Sequence, residues 1–371
     1  MDNWFEIENS DSVDSPVLLV YPERILANIR MLKSMIDDPR RLRPHVKTHK
    51  MAEVTAMLLA EGIEKFKCAT IAEAEMLGQC VARDVLLAYQ PTQVKLYRLI
   101  ELIKKYPQTT FSCLVDNPTS ALMMAQVATE QGIELEVFID LNIGMNRTGI
   151  SPDESTLELA KLIVSLPSLK LRGLHAYDGQ IHTQDLALRE IECEAGFDLV
   201  THLVNRLKAE SIGTLDIVIG GTPTFPFHAK RPNVECSPGT FIFWDFGYLN
   251  DCPEQKFLPA AVLMTRVISR PEGRICLDLG HKAVASENPL LSRVHFLNAA
   301  HLHLESHSEE HLVVKEKDSL PENTLKIGDV LYALPIHICP TVALYEKVAW
   351  VQNRKVEGYW QVTARNRALS I

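Results

Sequence analysis

The feature that most constrains this chain is a repeated alternation between short apolar runs and longer amphipathic runs, from about residue 16 to residue 219. The short runs resemble buried strands, and the longer runs repeat apolar residues with the period of a helix. The strand-like runs are 16–20, 42–46, 65–69, 85–88, 110–115, 135–141, 169–175 and 215–219. Repeated strand–helix units predict a parallel sheet with right-handed crossovers. About eight strands over roughly 240 residues favour a closed (β/α)8 TIM barrel over an open sheet.

The pattern changes after about Leu258, where short β-rich runs separated by turn signals replace the alternation. Several short strands of this kind indicate a separate β domain. We therefore predict an α/β chain with a (β/α)8 barrel over residues 12–255, followed by a C-terminal β domain over residues 256–371 that includes residues 1–11.

Composition and charge restrict the partners of the protein. The 371 residues are 46% hydrophobic and 23% charged, and the net charge is -9. This acidic balance argues against a nucleic-acid surface, so we expect a small-molecule partner. The acidic N-terminus does not resemble a signal peptide, and no apolar window is long enough to span a membrane. We expect no membrane contact and a cytoplasmic location.

A lysine stands where one predicted strand gives way to a helix. In RLRPHVKTHK, residues 41–50, the extended segment ends at Lys47 and a helical pattern follows. In α/β folds such a lysine lies at the mouth of the sheet, where it contacts a phosphate or forms a Schiff base with a carbonyl. The alternative is that Arg43, Lys47 and Lys50 form a solvated basic patch.

Other strand ends carry polar groups that would share this rim. The loop NIGMNRTGI places Arg147 between glycines, where its guanidinium could reach a planar anionic or phenolic group. The segment HAYDGQIH brings His175, Tyr177 and His182 to the rim. Each segment by itself is also compatible with an ordinary solvated loop.

Two glycine-threonine segments follow the last barrel strands. GGTPTF offers Gly220, Gly221 and Thr222, and SPGTF offers Gly239 and Thr240. Backbone N–H groups and hydroxyls at adjacent barrel strands form phosphate sites in such folds. A cofactor with an aldehyde, a phenolic oxygen and a phosphate would use the whole set, and pyridoxal 5'-phosphate (PLP) has all three groups.

The β-rich region contains PIHICPT, in which His337 and Cys339 are two residues apart. On a strand both side chains would point to one face. An imidazole beside a thiolate suits zinc, and two protein ligands would leave positions open for water and substrate. The alternative is a chance pair in the core.

The motifs resemble, in order, those of the D-threonine aldolase and D-serine dehydratase family. The resemblance spans about residues 12 to 352. The matching segments are RPHVKTHK, GMNRTG, HAYDG, GGTPT, SPGTF with Asp245, CLDLGHKAVAS and PIHICPT. Members of this family are fold-type III PLP enzymes with an alanine racemase-like barrel and a β domain.

The resemblance implies roles for individual residues. Lys47 would be the Schiff-base lysine, with Tyr177 as a second catalytic residue and Arg147 as a further cofactor or substrate contact. Lys50 would have no part in the chemistry. The phosphate site would consist of Gly220, Gly221, Thr222, Gly239 and Thr240. The metal ligands would be His337 and Cys339. The resemblance also implies a homodimer.

The family includes two reactions on D-3-hydroxy amino acids. Retro-aldol cleavage breaks the Cα–Cβ bond, whereas dehydration removes the α-proton and the hydroxyl. Aldolases of the family tend to carry a carboxylate in place of Cys339 and to use manganese or magnesium, so the softer thiolate favours zinc here. We predict a metal-assisted, PLP-dependent lyase. The alternatives are an amino-acid racemase on the same scaffold and a non-catalytic PLP-binding protein.

Overall fold

The computed structural model describes residues 3–316 and 325–371, which divide into two compact units. The barrel unit takes Leu32–Lys47, Thr55–Gly239 and Asn366–Ile371. The strand-rich unit takes the described residues of 1–31, 48–54 and 240–365. The assignment of residues 12–255 to cofactor binding, and of 256–371 with 1–11 to metal binding, stays a prediction. Residues 1, 2 and 317–324 of those ranges lie outside the described residues.

Most helices and strands occur close to the positions that the hydrophobic periodicity predicts, and the exceptions include the short helices at 225–228, 246–251 and 338–342 and the strand at 302–307. The helices are α1 (Pro22–Ser34), α2 (Ala52–Ala60), α3 (Ile71–Gln79), α4 (Gln93–Lys105), α5 (Pro118–Glu130), α6 (Glu154–Ser165), α7 (Leu186–Ala209), α8 (Phe225–His228), α9 (Phe246–Asp251) and α10 (Ile338–Val342). The first eight strands are β1 (Val17–Val20), β2 (Lys65–Cys68), β3 (Asp84–Leu87), β4 (Thr110–Val115), β5 (Leu135–Leu141), β6 (Leu169–Ala176), β7 (Asp216–Ile219) and β8 (Val234–Cys236). The remaining strands are β9 (Ala261–Ser269), β10 (Ile275–Leu277), β11 (Val294–Phe296), β12 (Leu302–His307), β13 (Leu312–Glu316), β14 (Val330–Pro335), β15 (Lys347–Gln352) and β16 (Lys355–Gln361).

The barrel unit is built on a parallel sheet in the order β2-β3-β4-β5-β6-β7-β8. The segment 42–45 stands between the two ends of this sheet, because Leu42 bridges Cys236 of β8 and His45 bridges Lys67 of β2. Pro44 has no N–H to donate, so this segment makes single bridges in place of a continuous strand. The predicted barrel of alternating strands and helices is confirmed, with this segment in the place of one strand.

Capping residues define several helix starts in the barrel unit. The Thr70 hydroxyl accepts a hydrogen bond from the Glu73 backbone N–H at 3.1 Å, and the Glu73 carboxylate accepts one from the Ala69 N–H at 2.6 Å. This is close to the capping box that the sequence spacing predicts. Asp153 caps α6 in the same way, by accepting from the Ser155 N–H at 2.9 Å.

The strand-rich unit has the sheet order β12-β13-β10-β9-β1-β15-β16, and β14 pairs with both β9 and β11. Its apolar side chains form a buried cluster that includes Leu19, Val262 and Ala349. The run 16–20 is a strand, as predicted, but its place in the barrel was wrong. β1 runs antiparallel to β9 and parallel to β15, and β8 takes the additional place in the parallel sheet. Among the described helices, none is long and apolar enough to cross a membrane.

Candidate active site

Lys47 lies in a short 3-10 turn, Val46–Thr48, directly after the segment that joins the ends of the barrel sheet. Its backbone N–H donates to Nδ1 of His45 at 3.3 Å. Its half-buried side chain lines a cavity of about 460 Å³ in the barrel unit. Small-molecule sites usually have volumes of roughly 300–1,000 Å³. The cavity is therefore large enough for a cofactor.

Two other predicted residues share this cavity with Lys47. Arg147 and Tyr177 both line it, and the Arg147 guanidinium lies 5.3 Å from the centre of the Tyr177 ring. The Arg147 loop turns tightly at Gly149, which has a φ of +99° and leaves no room for a side chain beside the Asn142 backbone. The structure thus brings Lys47, Arg147 and Tyr177 to one site at the C-terminal ends of the barrel strands.

A buried chain of three polar side chains forms another wall of the same cavity. Nζ of Lys67 lies 3.4 Å from Nε2 of His175, and Nδ1 of His175 lies 2.7 Å from Oδ1 of Asp140. The Thr148 hydroxyl donates to the other Asp140 oxygen at 2.8 Å. Sequence reasoning placed His175 at the rim but missed Lys67 and Asp140. The available signal was a charged residue between apolar neighbours in each of two predicted strands: Lys67 lies between Phe66 and Cys68, and Asp140 lies between Ile139 and Leu141.

The charges in this chain depend on burial and on each other. Burial and the nearby charge of Lys47 lower the pKa of Lys67 to about 7. Burial and the charge of Lys67 lower the pKa of His175. Burial raises the pKa of Asp140, but the hydrogen bonds from His175 and Thr148 outweigh it and leave that pKa below its usual value. At neutral pH this wall therefore holds an ionised Asp140 and a neutral His175.

The predicted phosphate residues lie in different parts of the chain. Thr222 and Gly239 meet in the barrel unit, where the Gly239 N–H donates to the Thr222 hydroxyl at 3.3 Å. Gly220 has a φ of +86°, which favours glycine, and a side chain at Gly221 would approach the Tyr177 ring to 3.3 Å. The loop therefore adjoins Tyr177. Thr240 belongs to the strand-rich unit, where its hydroxyl lies 3.6 Å from Sγ of Cys339.

A buried Asp-His pair supports the GGTPT loop from below. Oδ1 of Asp178 accepts from the Gly221 N–H at 3.2 Å, and Oδ2 lies 2.8 Å from Nε2 of His228. Asp178, Cys193 and His228 have potential metal-ligand atoms within 4.8 Å of one another. Burial raises the pKa of Cys193 to about 12, and Arg231 donates to Nδ1 of His228 at 2.5 Å. We interpret the set as a structural support because its groups are protonated or already hydrogen-bonded.

His337 and Cys339 do not lie on a strand, so the predicted reason for their proximity was wrong. His337 precedes α10 and Cys339 lies within it, yet their side chains are hydrogen-bonded. Glu287 contacts Nδ1 of His337 at 2.8 Å, which leaves Nε2 for a second partner. Sγ of Cys339 is buried and lies 3.2 Å from the Thr48 hydroxyl. An imidazole nitrogen and a thiol sulfur in contact fit a zinc ion.

The groups around His337 raise the pKa of its imidazole. Burial lowers the pKa of His337, but Cys339, Asp245 and Glu287 outweigh burial and raise it to about 9. Asp245 is buried, and burial raises its pKa to about 6 although the N–H groups of Ile338 and Tyr248 donate to it. Sequence reasoning included Asp245 in a motif but gave it no position. Its observed contact is with the start of α10.

A (β/α)8 barrel whose strand ends surround a cavity lined by a lysine, an arginine and a tyrosine has the arrangement of a barrel enzyme, because such barrels place their active sites at this end. The chain belongs to the family of the alanine racemase N-terminal domain, whose model matches residues 20–245. A serine dehydratase domain model matches residues 260–351.

Relatives of the chain include aldolases and dehydratases. A 3-hydroxy-D-aspartate aldolase from Paracoccus denitrificans is 26% identical over 97% of this chain and 94% of its own length. A D-threo-3-hydroxyaspartate dehydratase from Delftia is 28% identical over 63% of this chain and 62% of its own length. This structure superimposes on the crystal structure of D-threonine aldolase from Filomicrobium marinum with a TM-score of 0.88. The two sequences are 24% identical, and the match covers 98% of this chain and 99% of the aldolase chain. The predicted family, fold and class of enzyme, a lyase, are confirmed.

Proposed function

We propose that this protein is a PLP-dependent, metal-assisted lyase that acts on D-3-hydroxy amino acids. The observation that carries this proposal is the convergence of Lys47, Arg147 and Tyr177 on one cavity. The amine of Lys47 matches the carbonyl of PLP, and the loop of Gly220, Gly221 and Thr222 adjoins Tyr177, as a phosphate loop beside the cofactor ring would. The donor set of the cavity therefore fits PLP.

Each residue of the cavity would have a distinct part in the reaction. PLP supplies an electron sink for the bond that breaks at Cα of the substrate. Lys47 would hold the carbonyl until the substrate amine displaces it, and in dehydration its Nζ would take the α-proton. Tyr177 would pack beside the cofactor. The guanidinium of Arg147 lies over the ring of Tyr177 in the structure. Thr222 and Gly239 would contribute a hydroxyl and an N–H to the phosphate.

The pair of His337 and Cys339 would hold a divalent metal, with zinc favoured over manganese and magnesium because a thiol is a soft ligand. The metal supplies a Lewis acid for the β-hydroxyl of the substrate. Glu287 would orient His337 through Nδ1, at the observed distance of 2.8 Å. Asp245 would hold the start of α10 through the Ile338 N–H.

A product assay with D-threonine, D-serine and 3-hydroxy-D-aspartate tests the proposal and distinguishes the two reactions. Glycine and an aldehyde indicate retro-aldol cleavage, whereas a 2-oxo acid and ammonia indicate dehydration. Equal turnover of both alanine enantiomers in the presence of a chelator would instead favour a racemase. Bound PLP without turnover of any of these amino acids would indicate a non-catalytic binding protein.

Replacement of Lys47 provides the matched test. We expect Lys47→Ala to lose the absorbance of bound cofactor and to reduce the turnover rate by about 10³-fold or more, because the amine is both the attachment point and the base. Lys50→Ala is the control and should retain both properties. Equal turnover by Lys47→Ala and the wild type would refute the proposal.

The homodimer and the cytoplasmic location stay predictions that rest on the family resemblance and on the composition. Size-exclusion chromatography with light scattering tests the homodimer. A mass near that of a single 41.7 kDa chain at micromolar concentration would contradict it.

A further inference from the structure

Lys67 is a buried lysine for which the proposed function provides no role. It lies on β2, is 2% exposed, and lines the same cavity as Lys47. Its Nζ hydrogen-bonds with Nε2 of His175, and no carboxylate among the described residues pairs with it. An ammonium group without a paired carboxylate is unfavourable in a protein interior. Buried ionisable groups in clefts are therefore candidates for functional residues.

The hydrogen bonds around Lys67 have a definite direction. Asp140 is ionised and can only accept, so Nδ1 of His175 carries the proton in the 2.7 Å contact with it. Nε2 of the neutral imidazole is then an acceptor, and Nζ of Lys67 donates to it. Because the Thr148 hydroxyl also holds Asp140, the chain fixes the position of Nζ. Neither the neutral nor the charged form of Lys67 has to move to keep this bond.

The surroundings of Lys67 include a second amine. The aromatic ring of Tyr177 lies 5.4 Å from Nζ. The charged and titratable groups around Lys67 are Arg43 on the segment 42–45, Lys47 in the turn after it, Asp140 on β5, His175 on β6 and Asp178 after β6. His45, Asp116 and Arg147 also line the cavity. After burial, the charge of Lys47 has the largest effect on the pKa of Lys67. A charge on either amine therefore disfavours a charge on the other.

We infer that Lys67 is a positioning residue that sets the pH range in which the Lys47 amine can react with a carbonyl group. Only a neutral amine attacks a carbonyl, and a neighbouring cation in a desolvated site favours the neutral form. The His175–Asp140 pair keeps Nζ of Lys67 in place for this effect. The inference rests on the proposed function, since it takes PLP as the carbonyl compound.

The experiment measures how bond formation between PLP and Lys47 depends on pH. Protein is incubated with PLP between pH 5 and pH 10 and reduced with borohydride, and the peptide that contains Lys47 is quantified by mass spectrometry. Lys67→Met and Lys67→Gln remove the charge at similar length, and Lys67→Arg keeps it. Lys104→Met on α4 is the control, because Lys104 is exposed and does not line the cavity.

We expect Lys67→Met and Lys67→Gln to label less at Lys47 than the wild type below about pH 7, where Lys67 is charged, and to match it at higher pH, where Lys67 is neutral. Lys67→Arg stays charged and should label at least as much as the wild type at every pH, and Lys104→Met should match the wild type. A purely structural role would lower the label by the same factor at every pH, or lower the melting temperature.

The outcomes separate the inference from the proposed function. If PLP labels Lys47 and the pH dependence of labelling is the same in the wild type, Lys67→Met and Lys67→Gln, the inference fails and the proposed function stands. Label at Lys67 in place of Lys47 in the wild type also overturns the inference. Absence of label from the wild type at every pH overturns the proposed function and, with it, the inference.

Discussion

The contact between Glu287 and His337 is the most specific support for a metal site at the residue scale. A ligating histidine usually donates its second ring N–H to a carboxylate, which fixes the tautomer and the ring orientation. Glu287 is placed for this at 2.8 Å from Nδ1 of His337. It lies 50 residues earlier in the sequence, and no local pattern connects the two positions.

We predict that Glu287→Gln weakens zinc binding by about 10- to 100-fold, because the amide orients the imidazole less strongly than the carboxylate. Competition with a chromophoric chelator measures the affinity, and elemental analysis measures the zinc content. Glu310→Gln is the control, because Glu310 is exposed and pairs only loosely with Lys282 at 3.9 Å. Equal affinities for Glu287→Gln and the wild type would contradict the orienting role.

Lys67 also has a consequence for stability that does not require a cofactor. Its pKa falls from 10.5 to about 7 on folding, so between these values the unfolded chain binds a proton that the folded protein has released. The free energy of unfolding therefore rises with pH across this window and is lowest, for this group, below pH 7.

We predict that Lys67→Met increases the free energy of unfolding at pH 6 by about 1–3 kcal/mol, since it removes a buried charge. The advantage should shrink toward pH 10, where Lys67 is neutral in the folded protein and has begun to lose its proton in the unfolded chain. Urea unfolding at pH 6, 8 and 10 measures the difference. An advantage that is equal at all three pH values would show that packing, and not charge, is responsible.

At the scale of elements, the start of α3 combines a cap with a position beside the site. Thr70 accepts a hydrogen bond from the Glu73 N–H, and β2 with its Lys67 immediately precedes this turn. The comparable start of α4 also has a threonine, Thr92, but this residue makes no capping hydrogen bond through its side chain. The two threonines thus allow a matched comparison.

We predict that Thr70→Ala lowers the free energy of unfolding by about 1 kcal/mol, because it leaves the Glu73 N–H without its acceptor. Thr92→Ala should change it by a few tenths of a kcal/mol at most, since no capping bond is lost. Urea unfolding followed by circular dichroism measures both. Equal losses in the two variants would rule out the capping bond as the cause.

At the scale of the whole molecule, the candidate site and a buried ionic network lie at opposite ends of the barrel strands. The candidate site occupies the C-terminal ends of the barrel strands, whereas a buried ionic network lies toward their N-terminal ends. Arg43 is fully buried and contacts Asp84 at 2.5 Å and Glu235 at 2.6 Å, and Arg172 contacts Asp84 from another strand. Polar groups at this end of such barrels generally serve stability.

We predict that Arg43→Met lowers the free energy of unfolding by about 3–5 kcal/mol, because it leaves Asp84 and Glu235 buried without their shared partner. Lys170→Met removes an exposed ion pair with Glu136 and should lower it by about 0–1 kcal/mol. Chemical unfolding measures both variants, and the absorbance of bound PLP reports on the site. A loss of less than 1 kcal/mol in Arg43→Met would contradict the role of the network.

Local patterns in the sequence determined the elements and much of the candidate site. Hydrophobic periodicity predicts helices at 94–106, 120–131 and 153–165, and α4, α5 and α6 lie within a few residues of these ranges, because each helix buries one face of its own sequence. The C-terminal ends of parallel strands meet at one edge, so the positions of Lys47, Arg147 and Tyr177 after separate strands implied that they would meet.

Only the tertiary structure decided which distant groups are partners. The composition of β1 identifies a strand, but long-range pairing placed it against β9 and β15. Lys67, His175 and Asp140 come from three strands, and their hydrogen bonds depend on side-chain positions across the barrel. His337 and Cys339 meet at the start of a short helix, where Glu287 contacts His337 and Asp245 accepts from the Ile338 N–H, both across many residues of sequence. Periodicity reports which face of an element is buried, whereas the identity of the neighbour depends on packing that no local segment contains.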